Sequence, residues 1–172
     1  MHKRVTIVCA LAMTWLVGSH ALWAQQSEEK DRAELATALK GAKVSLLKGL
    51  SASEREGTPI SGKFEVEDGK FQLSVYTQKG DTFSEVILDP ATGKITGVNP
   101  ITGGEDLTTA KAESEAMAKT KVSLRAAVDK ALKANKGYRP VRVIPTLKDG
   151  HPVAEVTLTK GAAWKKISEQ LE

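Results

Sequence analysis

The chain has 172 residues, with 25 Lys and Arg against 21 Asp and Glu, three histidines and one cysteine. One cysteine cannot build a disulfide framework, and so few soft ligands leave little material for a thiolate or histidine metal site. The interspersed charges lack the clustered basic face that nucleic acid requires.

Met1-His2-Lys3-Arg4 is a short cationic start, and Val5 to Val17 is a thirteen-residue apolar run. Gly18 to Ala24 ends in a small residue ahead of Gln25-Gln26. That order matches a secretory signal peptide over residues 1–24, and the apolar run is short for a bilayer span. Cleavage is expected after Ala24, with Ala21 as second choice and an uncleaved N-terminal anchor as the alternative reading. Cys9 lies inside the apolar run rather than at a lipoprotein cleavage position. Cleavage would place the protein in the periplasm or outside the cell, with no stable membrane insertion. It would remove Cys9, leave His151 as the last histidine, and leave 23 basic against 21 acidic residues. Without disulfides, stability must come from a hydrophobic core, and the remaining 148 residues suffice for one ordinary domain or two small ones.

Residues 25–42 read as an N-terminal helix, with Leu35 and Leu39 four apart and an end near Gly41. A second short helix starts after Ser45, whose hydroxyl can cap a free backbone N–H, and stops before Gly57-Thr58-Pro59. The alternating segment Lys63 to Glu67 turns at Asp68-Gly69, a dipeptide suited to a two-residue hairpin. Phe71, Leu73, Val75 and Thr77 share a face of the next strand, and Phe83 to Leu88 form a third. Asp89-Pro90-Ala91-Thr92-Gly93-Lys94 is a turn, after which Ile95 begins a short edge strand. Asn99 to Gly104 is the linker candidate, and residues 99–120 comprise this linker and a polar helix.

The same order then returns. Lys43-Val44-Ser45-Leu46 recurs at Lys121-Val122-Ser123-Leu124, 78 positions on. Asp68-Gly69 recurs at Asp149-Gly150, and Lys79-Gly80 at Lys160-Gly161, both 81 positions on. Ser123 caps a helix with Leu124, Val128, Ala131 and Leu132 on one face, and Gly137 stops it. Strands at Val141 to Ile144 and Val153 to Leu158 follow. Trp164, Ile167 and Leu171 have helical spacing, but Trp164 falls where Phe83 falls, so a strand is favoured. The fold class expected is α+β. Two repeated units, 43–98 and 121–172, would each pack one or two helices on a face of a three- or four-stranded antiparallel sheet.

A capped helix, an Asp-Gly hairpin and a strand ending Leu88-Asp89-Pro90-Ala91-Thr92-Gly93-Lys94-Ile95 resemble the PepSY domain family. Copies in that family end in an Asp-x-x-Thr-Gly-Lys-hydrophobic turn, so Asp89, Pro90, Thr92, Gly93 and Lys94 are expected to serve the fold. The second unit matches in helix and hairpin but lacks the Thr-Gly ending. The resemblance implies a non-catalytic module of the bacterial envelope that binds a protein partner, with restraint of a peptidase as the family's proposed role. It implies no catalytic residues and no cofactor.

The residues themselves offer three places for chemistry. His151 follows the Asp149-Gly150 turn and reads as a solvated turn residue rather than a general base. Glu65 and Glu67 share a strand face and would be the contacts of an alternative function, a small-ligand or metal-binding protein using a concave sheet. Lys130, Lys133, Lys136, Arg139 and Arg142 form a basic stretch, either a solvated face or a contact for an acidic partner or anionic lipid headgroups. The glycine segments Gly57 to Gly62 and Thr102 to Gly104 lack the lysine of a phosphate-binding loop and read as turns.

Overall fold

The computed structural model describes residues 19–172, with side chains from residue 29. The proposed signal core, Val5 to Val17, lies outside the described residues. Helix α1 (Ser19–Ala38) runs through the expected cleavage point and ends in a 3-10 turn, Leu39–Gly41. Then come α2 (Leu46–Ser53), β1 (Thr58–Glu67), β2 (Lys70–Lys79), β3 (Thr82–Leu88) and β4 (Ile95–Ile101). Helices α3 (Gly104–Ala118) and α4 (Leu124–Ala134) precede β5 (Arg139–Lys148), β6 (His151–Lys160) and β7 (Ala163–Gln170). The protein is α+β. Among the described residues its strands make one seven-stranded antiparallel sheet in the order β4-β3-β2-β1-β5-β6-β7.

Local chemistry explains most elements. Ser45 and Ser123 accept from the Lys48 and Ala126 amides, each at 3.2 Å, capping α2 and α4. The β1–β2 and β5–β6 hairpins turn at Asp68-Gly69 and Asp149-Gly150, all four residues at positive φ. The segment from Trp164 is strand β7, not helix, because its backbone pairs with β6 from Lys160↔Ala163 to Val153↔Gln170.

Paired residues share a sheet face, so the register sorts the side chains. Gly62, Val75, Val86, Val143 and Val156 fall on one face. There they meet Leu46 and Leu50 of α2 and Leu124, Val128 and Ala131 of α4 in the main core. Lys63, Ser74, Arg142 and Thr157 fall on the opposite face. Helix α3 lies on this second side, where Ala110 joins Ile60 and Phe83 in a small separate cluster. Helices α2 and α4 thus share one face of the sheet, and α3, from the stretch 99–120 between them, lies on the other. The stripe of α3 containing Ala110 and Ala116 is small enough to sit close to strands that carry polar side chains.

Two expectations are corrected. Thr58 to Gly62 is the first half of β1 rather than a turn. Gly62 faces α2, where a Cβ would lie 3.2 Å from Leu50 Cδ2. Likewise Asn99, Pro100 and Ile101 pair with Glu85, Ser84 and Phe83, so only Thr102-Gly103 remain as a connection into α3.

The turn after β3 is held by Asp89, whose carboxylate accepts from the Ala91 and Thr92 amides and the Thr92 hydroxyl. These bonds hold its pKa below the usual carboxylate value. Pro90 O accepts from the Lys43 and Val44 amides, tying the turn to the entry of α2. Leu171 O accepts from the Lys121 and Val122 amides in the same manner. A carbonyl suffices for this clamp, so leucine can stand at 171 without the Thr-Gly ending. Gly93 has φ +74°, and a Cβ there would lie 3.2 Å from Val44 Cγ2. Gly93→Val should therefore lower the unfolding free energy by about 2 kcal/mol in urea denaturation, through left-handed strain and crowding.

Candidate functional site: an open trough over the β1–β5 seam

The β1–β5 ladder contains only Gly62↔Val143 and Lys63↔Arg142. Beside this short seam a trough of ≈ 910 Å³ opens. Lys63, Glu65, Arg142, Thr146, Lys148, Glu155, Thr157 and Lys166 line it from the polar face. Phe64, Val66, Val141 and Trp164 add apolar surface, and Asp31, Arg32, Glu34 and Leu35 of α1 form one wall.

Its strand charges are largely matched. Lys63 Nζ lies 2.5 Å from Glu65, while Lys148 and Lys166 lie 2.5 and 2.6 Å from opposite oxygens of Glu155. The two ammonium hydrogen bonds hold Glu155 below the ordinary carboxylate pKa. Lys63 also stands 5.6 Å from the Tyr76 ring centre, and burial pushes the Tyr76 phenol up to about 12. Lys63 and Arg142 are like charges directly opposite one another, an arrangement that costs energy unless anions stand nearby.

A carboxyl close to both is that of Glu113 of α3, which attracts them when ionised. Its carboxyl is buried and accepts from Ser61 Oγ at 2.6 Å. Burial pushes its pKa up to about 7, partly offset by the Ser61 hydrogen bond and by attraction to Arg142 and Lys63. A second cavity of ≈ 210 Å³, lined by Ser61, Lys63, Tyr76, Asp106, Thr109, Glu113 and Arg142, adjoins it. Glu113 falls within the stretch expected as a polar helix, where nothing in its immediate neighbours marks it as buried. The available signal was its spacing, three residues from both Ala110 and Ala116 on one helical stripe.

The basic stretch expected as one contact surface is divided. Lys130 pairs with Glu169 at 2.8 Å. Lys133 and Lys136 are exposed at the end of α4. Arg139 turns inward, donating to Leu39 O at 2.8 Å and Val44 O at 3.0 Å, with its guanidinium 5.1 Å from the Phe64 ring centre. Arg142 lies across the sheet in the trough. Five consecutive-looking cations thus serve three places, because a helix end, a strand start and a bulged strand point their side chains differently. The bulge lies between Pro140 and Arg142.

Asp89, Pro90, Thr92, Gly93 and Lys94 form the turn described above, away from the trough. His151 is exposed, with Nδ1 2.7 Å from Glu172 Oε1. Glu65 and Glu67 do share a face, and with Glu85 they bring three carboxylates within 4.8 Å. Gln72 Nε2 already donates to Glu67 at 2.8 Å and to Ser74 at 3.1 Å.

Among the described residues, no helix is long and apolar enough to cross a membrane. No protein-family model matches the chain, and no curated protein matches it. Among solved structures, the chain is similar to a candidate lipoprotein from Clostridium difficile 630. The two share 12% identity over 70% of this chain and 79% of that one, with a TM-score of 0.40.

Proposed function

We propose that the chain is an exported, non-enzymatic, PepSY-like protein of two copies, 43–98 and 121–172, that binds and restrains an envelope protein. Peptidases are the partner class that the family resemblance implies. The observation that carries this reading is the trough: broad, open, and lined on its strands by the Lys63–Glu65 and Lys148–Glu155–Lys166 ion pairs. Such a surface offers hydrogen bonds and alternating charge to a protruding polypeptide segment, rather than one activated group to a substrate. The two-copy reading is supported by spacing. Strands β1 and β5, β2 and β6, and β3 and β7 each begin 81 positions apart, and the bulges between Pro59/Ser61 and Pro140/Arg142 share that offset. Export is supported by the cationic, apolar and small-residue order of residues 1–24.

Affinity capture from an envelope extract, with the chain as bait, tests the reading. A recovered peptidase whose activity falls as the chain is added supports it, and Arg142→Glu in the trough should weaken that inhibition at least about tenfold. Recovery of no peptidase across several salt concentrations counts against it.

A second reading, a cation or small ligand held on the sheet, is favoured by the Glu65, Glu67 and Glu85 convergence. It ranks second because Lys63 and Gln72 already satisfy Glu65 and Glu67. Calorimetric titration with calcium decides: a saturable heat lost in Glu67→Gln would promote this reading over the first.

A further inference from the structure

The end of α4 and the turn joining β6 to β7 gather lysines that sequence places 24 to 32 residues apart. Lys160 Nζ and Lys165 Nζ both stand over the Tyr138 ring, 6.0 and 4.7 Å from its centre. Lys165 also donates to Asn135 Oδ1 at 3.2 Å, which fixes the hairpin against the helix end. Lys133 and Lys136 flank Asn135 and are exposed. Among the described residues, no ion pair takes up Lys133, Lys136, Lys160 or Lys165, whereas neighbouring Lys130 is neutralised by Glu169. Four ammonium groups that no ion pair neutralises repel one another, with Asp129 one turn before Lys133 as the nearest acid on α4, and an external anion relieves that cost.

We infer that this face docks on an anionic phospholipid surface. All four groups are lysines, which are flexible point charges suited to a field of phosphates. Recognition of carboxylates in a protein segment favours the planar, bidentate guanidinium instead. Tyr138 supplies a half-buried amphipathic ring at the centre of the face, the kind of side chain that settles at a headgroup boundary. The hairpin tip Gly161-Ala162-Ala163 is exposed and small, so the lysines can approach a flat surface without obstruction. Docking by this face requires no insertion. On β7, Lys165 falls on the sheet face opposite Trp164 and Lys166, which line the trough.

The test is co-sedimentation of the full chain with vesicles of phosphatidylglycerol and phosphatidylcholine, using pure phosphatidylcholine as the baseline for any contribution of the apolar N-terminus. Binding should be at least about tenfold stronger on the anionic vesicles and fall steeply as salt rises. Replacing Lys133, Lys136, Lys160 and Lys165 with Gln should abolish that excess. A control replacing the exposed Lys48, Lys70, Lys79 and Lys111 with Gln removes the same charge and should retain it. No excess on anionic vesicles, or equal loss in both variants, overturns the inference. Tighter binding of the face to a polyglutamate peptide than to vesicles would reassign it to an acidic protein. None of these outcomes depends on whether the trough restrains a peptidase.

Discussion

Arg139→Ala is expected to lower the unfolding free energy by about 3 kcal/mol, seen as an earlier midpoint in chemical denaturation. The guanidinium joins segments about 100 residues apart, donating to Leu39 O and Val44 O while covering Phe64. Removing it strips two charge-assisted hydrogen bonds from half-buried carbonyls and uncovers an aromatic core residue. Arg139→Lys keeps the charge but cannot reach both carbonyls with a rigid fork, so it should recover less than half of the loss. A loss under about 1 kcal/mol for alanine would mean that water replaces the guanidinium at little cost.

Glu113→Gln should change stability in the opposite direction from most burial mutations, with a gain that grows as pH rises from about 4.5 to about 7. The carboxyl has a folded pKa of about 7 against an ordinary 4.5. Because the folded pKa is raised, the folded state binds the proton more tightly than the unfolded chain. Its contribution is fully present below pH 4.5, declines from there to about 7, and is gone above. That span corresponds to about 3 kcal/mol. Gln is neutral throughout, nearly the same shape, and can still accept from Ser61. The variant should match wild type near pH 4 and exceed it by up to about 3 kcal/mol near pH 8.5. Equal stability of the two proteins at pH 8.5 would show that Arg142 and Lys63 hold the carboxylate ionised at no net cost.

Much of the local structure could be read before any coordinates. Ser45 and Ser123 cap because a hydroxyl before an apolar helix has one favoured partner, and Asp-Gly turns because few residues accept positive φ twice in succession. The strand at Ala163–Gln170 was legible only by analogy with the segment 81 positions earlier, since its own spacing looked helical. The illegible features are those in which a residue's meaning depends on a distant partner. The joining of β1 to β5 is backbone pairing, which leaves no side-chain signature at Gly62 or Val143. The site suffered most. Arg139 and Arg142 look like members of one basic run, yet two carbonyls 95 and 100 residues away claim the first and the trough claims the second. Glu113 looks like one more acid on a polar helix until α3 is laid across the sheet. Lys160 and Lys165 join the lysines of α4 only because β7 returns beside the helix end.

The seam between β1 and β5 is also a protection against self-association. Each of these strands is long, and each would be a bare edge if its half of the sheet stood alone, ready to pair with any extended chain. Set side by side, each strand occupies the other's vulnerable edge with two residue pairs, while α3 and the end of α1 sit close by. The edges left at the outside are poorer templates: β4 is interrupted by Pro100, and β7 carries Lys165 and Lys166. Joining two halves in one chain therefore stops the sheet from growing.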